Sequence, residues 1–170
     1  MSHSPAWIHV STAGRIYNLF FNHLRGKKCE AIPDGFDLHL TEDDVFIPDM
    51  MVVCDRNKIK KNGVYGAPDL VVEVLSPSTA KNDRGYKKNV YETSGVPEYW
   101  IVDPLHRSIE VYLLQDGHYV LDNIYTLYPS EELEEMTDEE KANIVTAFKC
   151  HLYDDLTIQL EDIFSDFLND

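Results

Sequence analysis

Apolar residues recur along this chain with two periods, and the places where one gives way to the other outline the fold. Over residues 12–25, Ile16, Leu19, Phe20 and Leu24 fall at helical spacing, one face of a ~3.6-residue period. Ser11 or Thr12 offers a cap at the start and Gly26 a stop at the end. Lys28–Ile32 and Phe36–Leu40 read as short strands around a Pro33-Asp34-Gly35 turn, with Phe36, Leu38 and Leu40 on one face. Asp49–Cys54 reads as a third strand behind Pro48, and the polar, basic residues 55–66 as a loop. Leu70–Leu75, Leu-Val-Val-Glu-Val-Leu, is apolar on both sides of the pleat, which marks a central strand covered on both faces. A helix over about Ala80–Ser94 should follow, stopped by Gly95 and Pro97. Strands are then expected at Tyr99–Val102, Ser108–Leu114 and Tyr119–Ile124, the last two joined through the hairpin signal Asp116-Gly117. Residues 155–168 read as a short strand leading into a terminal helix. The pattern predicts an α/β (α+β) class, one domain over residues 1–170, with an acidic helical insertion at about 129–145.

A length of 170 residues suffices for one sizeable core, and 44% hydrophobic with 26% charged residues is a globular composition. No apolar run approaches the ~20 residues that a membrane helix needs. The first residues have neither the basic nor the apolar region of a signal peptide. Three cysteines, Cys29, Cys54 and Cys150, are an odd number without CxxC spacing. That usage suits a reducing cytosol and speaks against zinc, so a cytoplasmic location is expected. The net charge of −15 is uneven: residues 129–170 hold 13 acids against 2 bases. Such acidity disfavours non-specific binding to nucleic acid, which depends on Lys and Arg neutralising phosphates.

Glu73 is the residue that asks for chemistry. Its neighbours bury it, and a buried carboxylate is costly unless it is paired, protonated or bound to metal. A glutamate opening to solvent, or bridged to arginine, is the plainer alternative. Asp49 opens an apolar strand that could lie beside it, although Pro-Asp also occurs at 33-34 and 68-69, where turn chemistry suffices. Asp83, Lys87 and Tyr91 are spaced four apart and share a helix face. An Asp→Lys surface pair worth ~0.3–0.5 kcal/mol is the ordinary reading of the first two. Two carboxylates and a lysine are also what a divalent-metal phosphodiesterase needs: hard oxygens for Mg²⁺, and a cation for the charge that builds on phosphate.

Pro48-Asp49, the run from Ala67 to Thr79, Asp83…Lys87…Tyr91, Gly95–Trp100 and Val102-Asp103-Pro104 together resemble the Uma-two-type restriction endonuclease family. That family belongs to the PD-(D/E)XK nuclease superfamily, and the resemblance covers roughly residues 9–125. It implies a restriction-endonuclease-like mixed β-sheet flanked by helices, with one acidic site for Mg²⁺ or Mn²⁺. Asp49 matches the Asp of the PD element and Glu73 the acid of (D/E)XK. The lysine of that element would stand at position 75, where this chain has Leu75, and Lys87 matches the family's displaced lysine. The expected site is therefore Asp49, Glu73 and Lys87, supported by Asp83 and Tyr91. Asp37 could add a metal-binding carboxylate, although an exposed polar position on a strand explains it as well. His9 matches a family histidine, for which a helix-cap or surface role is the expectation.

The resemblance implies a metal-dependent nuclease with DNA as the expected partner. A homodimer is expected of an enzyme that cuts two strands. The alternative is a catalytically weak or inactive module of the same fold that acts as a protein- or nucleic-acid-interaction subunit. The acidic segment Glu131–Glu140 should lie away from the site, with Arg56–Lys61 and Lys81–Lys88 bordering it. Lys87→Ala should abolish cleavage with folding nearly intact.

Overall fold

The computed structural model describes residues 6–164. Ser4-Pro5 and the end of the helix expected over 155–168 lie outside the described residues. The chain opens with α1 (Trp7–Leu24), which buries Thr12, Ile16, Phe20 and Leu24, one residue in four along a single stripe. It begins five residues before the apolar period does, because Trp7 and Val10 in its first turns are exposed. Ser11 and Thr12 therefore do not cap it. Ala6 stands at the N-cap without a side-chain bond, and Thr12 Oγ1 donates to the Ile8 carbonyl at 2.7 Å inside the helix.

The main sheet has the order β1 (Glu30–Pro33), β4 (Met50–Val53), β7 (Leu70–Val74), β8 (Glu98–Asp103), β9 (Ser108–Gln115), β10 (His118–Thr126). Only β7 and β8 are parallel; every other pair is antiparallel. The sheet is thus mixed, as expected, and β7 is buried at all five positions. The β9–β10 hairpin turns at Asp116 and Gly117, both with positive φ (51° and 83°), the left-handed pair of a tight hairpin turn.

A second sheet has the order β3 (Val45–Phe46), β2 (Leu38–His39), β6 (Gly63–Tyr65), β5 (Ile59–Lys60). The strands flanking Pro33-Asp34-Gly35 therefore do not form a hairpin: β1 belongs to the main sheet and β2 to the small one. Residues 55–66 are not a plain loop either, since β5 and β6 pair there. Polar composition hid this hairpin. Its close packing relies on Gly63, where a Cβ would stand 2.8 Å from the Asp37 carbonyl oxygen.

Alternation along the strands builds two cores. Val52, Leu70, Val72, Trp100 and Val102 pack with Ile16 and Phe20 of α1. Met51, Val53, Val71, Tyr99 and Ile101 face Tyr91, Leu38 and Val64. The Phe20 and Trp100 rings meet at 5.6 Å, and truncating either to alanine should cost ~3–5 kcal/mol.

The helix after β7 spans the expected residues but is not uniform. α2 (Ala80–Asn82) runs into a π-helical turn, Asp83–Lys87, and then α3 (Lys88–Ser94), closed by Gly95 at φ 84°. Single π turns inside α-helices recur at functional sites. The acidic stretch forms α4 (Ser130–Glu135) and α5 (Asp138–Ala142). β11 (Ala147–Lys149) pairs with β12 (Thr157–Gln159), which leads into α6 (Leu160–Phe164).

Cys29 and Cys54 are joined as a disulfide and Cys150 is a buried free thiol. The odd count concealed a pair that the β1–β4 register sets face to face. Among the described residues no helix is long and apolar enough to cross a membrane.

Candidate active site

Strand register decides whether Asp49 and Glu73 can meet. Met50 of β4 pairs with Val72 of β7 in an antiparallel ladder, which sets Asp49, one residue earlier, opposite Glu73. Both share side-chain parity with Met51 and Val71, so both point to the α3 side of the sheet. Asp49 Oδ2 accepts a hydrogen bond from the Val74 N–H at 2.7 Å, and Oδ1 lies 3.4 Å from His9 Nε2.

Glu73 is 2% exposed. Its Oε1 accepts from the Tyr91 hydroxyl at 2.6 Å and lies 3.1 Å from Lys87 Nζ. The same ammonium is 3.0 Å from Asp83 Oδ1. Lys87 thus forms an ion pair with each carboxylate. The Tyr99 hydroxyl donates to the Asp83 carbonyl at 2.9 Å and fixes the π turn against β8. The i,i+4 pair expected at a solvated surface is instead buried, with Asp83 1% exposed.

Burial is the first reason that the Glu73 carboxyl is pushed up to about 7; the charges of Asp49 and Asp83 add to it, while Lys87 and the Tyr91 hydroxyl oppose it. Burial alone would pull the Lys87 ammonium down, but Glu73 and Asp83 outweigh it and hold its pKa above the ordinary lysine value. The lysine therefore stays charged through neutral pH.

These groups open into a cleft of about 440 Å³, lined among others by His9, Asp34, Asp49, Glu73, Thr79 and Lys87. His9 is neither a cap nor a surface residue. Its bond to Asp49 raises its pKa despite opposing burial, and Asp34 adds a smaller electrostatic contribution. Asp34 reaches the cleft because Pro33 of β1 pairs with Met50, which carries the next residue toward Asp49. Sequence reasoning dismissed Asp34 as a turn residue. The β1–β4 register that places it lies between segments too far apart in sequence for period to reveal.

Asp37 is half-exposed on the small sheet, 4.0 Å from His39 Nε2, and does not line this cleft. The cluster Arg56–Lys61 does not border it either: Arg56 pairs with Glu30 and the Lys28 carbonyl beyond the opposite end of β4. None of the cleft residues comes from 129–145, so the acidic segment lies away from it as expected. Lys88 does not line the cleft, and its ammonium sits over the Tyr112 ring at 3.6 Å.

Among the described residues, no three His, Cys, Asp or Glu side chains converge closely enough to form a protein-only metal cage. The set that does converge is two carboxylates on adjacent strands. Both contacts to Glu73 fall on Oε1, which leaves Oε2 for a cation; Asp49 takes the Val74 N–H on Oδ2 and faces His9 through Oδ1, so a cation on Oδ1 would take the place of the His9 contact. Such a pair fits Mg²⁺, which keeps several waters and takes further oxygens from phosphate.

Residues 1–143 match the Uma2 family, described as "Putative restriction endonuclease". A mixed sheet with this acidic cleft at the ends of its central strands and that match together define the class, and the chain belongs to this family of restriction-endonuclease-like proteins. Its relatives include an uncharacterized protein of Synechocystis sp., 34% identical over 110 residues, which are 64% of this chain and 58% of the relative. The match thus spans a little over half the length of that relative. The fold is shared with the crystal structure of a putative nuclease of DUF820 from Anabaena variabilis. There the TM-score is 0.70 at 17% identity, covering 97% of this chain and 84% of the other.

Proposed function

We propose that this chain is a nuclease that hydrolyses phosphodiester bonds in DNA, with Mg²⁺ or Mn²⁺ held by Asp49 and Glu73. The observation that carries this reading is Lys87, whose ammonium stands 3.1 Å from Glu73 although position 75 is leucine. When bound, the metal supplies an activated water and neutralises charge on the phosphate. Asp83 and the π turn hold Lys87 toward the cleft, where its charge stabilises negative charge developing on the scissile group. Tyr91 orients the Glu73 carboxylate through its hydroxyl. The Val74 N–H fixes Asp49, so neither carboxylate must reorganise when a substrate arrives.

The test is cleavage of supercoiled plasmid with Mg²⁺ or Mn²⁺, alongside calorimetric titration of Mn²⁺ into parent and Glu73→Gln protein. Metal-dependent nicking, with Mn²⁺ affinity at least tenfold weaker in the variant, is the expected result. Equal Mn²⁺ affinity in both proteins would remove Glu73 from the metal site. A parent that binds Mn²⁺ but leaves DNA intact would favour the non-catalytic module, the reading to which the net charge of −15 lends support.

A further inference from the structure

Four neighbouring strands of the main sheet bring a row of turns to one rim. β7 and β8 end there, β9 begins there and β10 ends there, following the parallel β7–β8 pair and the antiparallel pairs beyond it. The active cleft lies on this rim after β7. Two strands along, at ~4.8 Å per strand and so roughly 10 Å away, lies the turn Asp103–Ser108.

That turn is built with care. The Asp103 Oδ1 accepts from the Leu105 and His106 N–H groups, both at 3.1 Å, and Oδ2 lies 2.8 Å from His106 Nδ1. Arg107 follows with φ +50°, a left-handed conformation that glycine or asparagine adopts at lower cost. Its carbonyl is held by the Leu127 N–H at 2.9 Å. Its guanidinium Nη1 is buried with no hydrogen-bond partner, and among the described residues no ion pair joins Arg107 to a carboxylate. Arginine has five donors and cannot shed its charge; with Nη1 unpaired inside the chain, the guanidinium keeps donor capacity for an acceptor in the pocket that Arg107 lines.

Arg107 lines a separate pocket of about 330 Å³ with His106, Ser108, Thr126, Tyr128 and Glu132, among others. It carries a cation and hydroxyls suited to a phosphate. Nearby carboxylates are occupied: Arg84 bonds Glu110 at 2.7 Å and lies 4.0 Å from Asp103. Glu132 is the one acid lining the pocket.

We infer that Arg107 is a second phosphate site, which receives the backbone of the same nucleic-acid strand that enters the cleft between Glu73 and Lys87. The inference rests on the nuclease reading for the position of the strand, and on the orphan donor for the contact. A strained arginine kept where asparagine would fit more easily is explained by a task for its side chain. It also explains how so acidic a chain grips a polyanion, through a few placed cations rather than an overall field.

The test uses the full chain in EDTA, where no metal-dependent cleavage intervenes, with a labelled DNA duplex read by fluorescence anisotropy between 50 and 200 mM salt. Arg107→Asn removes the cation and keeps a residue tolerant of positive φ. The expected result is an affinity roughly fivefold to tenfold weaker at low salt. The slope of log K against log salt should also be shallower by about one, with the melting temperature unchanged or raised. Inorganic phosphate at millimolar concentration should not restore the difference. Equal affinity and slope in parent and variant would overturn the inference, as would a parent with no measurable affinity for the duplex. So would a phosphate-dependent rise in melting temperature, lost in Arg107→Asn, that leaves duplex binding unaltered, since it assigns the pocket to free phosphate. If Arg107→Asn loses duplex affinity while the parent cuts nothing with Mg²⁺, the nuclease reading fails and this contact stands. If the parent cuts and Arg107→Asn binds as the parent does, the contact alone fails.

Discussion

Two glutamates lie on adjacent parallel strands, each 2% exposed, and they are buried for opposite reasons. Glu98 opens β8 on the α1 side. It accepts from Trp100 Nε1 at 2.8 Å and from the backbone N–H groups of His151 and Leu152 at 3.4 and 3.1 Å, with the Cys150 thiol close by. Every one of these partners is neutral, and together they latch the 148–153 segment to the central sheet. Glu73 faces the other side, is met by a cation and a hydroxyl on one oxygen, and lines a cleft. Burial raises the pKa of both. The lesson is that burial and a raised pKa do not separate a structural carboxylate from a chemical one; the charge and completeness of its partners do.

The largest expected effect would break the comparison on the Glu73 side. Lys87→Ala should reduce Mg²⁺-dependent plasmid cleavage by at least ~10²-fold, the scale seen when one charge-stabilising donor is removed. The buried geometry corrects the expectation that folding stays nearly intact. The variant leaves Glu73 and Asp83 buried without their cation, and urea unfolding should show a loss of ~3 kcal/mol. Lys87→Met, which keeps the stem, should lose cleavage equally.

On the Glu98 side the pattern should reverse. Glu98→Ala strands the Trp100 indole N–H and two backbone donors, so urea unfolding should report a loss of ~3 kcal/mol. Cleavage per folded molecule should stay within a few-fold of the parent. A drop in cleavage as deep as that of Lys87→Ala would mean that the latch belongs to the chemistry.

The third prediction uses pH. The Glu73 carboxyl is raised from the ordinary value of 4.5 to about 7, so the metal-free folded state holds a proton that the unfolded chain has lost. Stability from this group is complete below pH ~4.5 and falls as pH rises through 7. Glu73→Gln, which cannot ionise, should gain relative to the parent by on the order of 2–3 kcal/mol at pH 8 in EDTA, and by far less at pH 5. Melting curves at the two pH values check it. A constant difference would show that Glu73 stays ionised throughout.

The smallest effect concerns Lys88, one position from Lys87. Its ammonium lies on the Tyr112 ring, so Lys88→Ala should cost ~0.5–1 kcal/mol and change cleavage less than threefold.

How much of this could be read beforehand depended on the range of the interaction. The apolar run around Glu73 announced its burial, because five consecutive neighbours in one strand carry that signal. The Asp116-Gly117 turn and the Gly95 stop were legible for the same local reason. His9 and Asp34 were not, since each reaches the cleft through contacts with β4, fifteen or more residues away in sequence. The β5–β6 hairpin was hidden by polar residues, and α1 began early because its first apolar residues face solvent. The disulfide escaped notice because an odd cysteine count says nothing about which two meet. Asp37 was placed by its neighbours in sequence on the wrong sheet for the cleft.

Leu75 is 6% exposed and belongs to the core that also holds Tyr91 and Tyr99. A lysine there would leave a gap among those rings, whereas Lys87 reaches Glu73 from a helix and leaves the strand free to be apolar. Holding the domain together and supplying the cation are thus assigned to separate stretches of chain, which can drift independently over generations. A search for an acid, any residue and a lysine, slid along the printed letters, passes 73–75 without stopping. The word it seeks is spelled across two elements and can be read only in three dimensions.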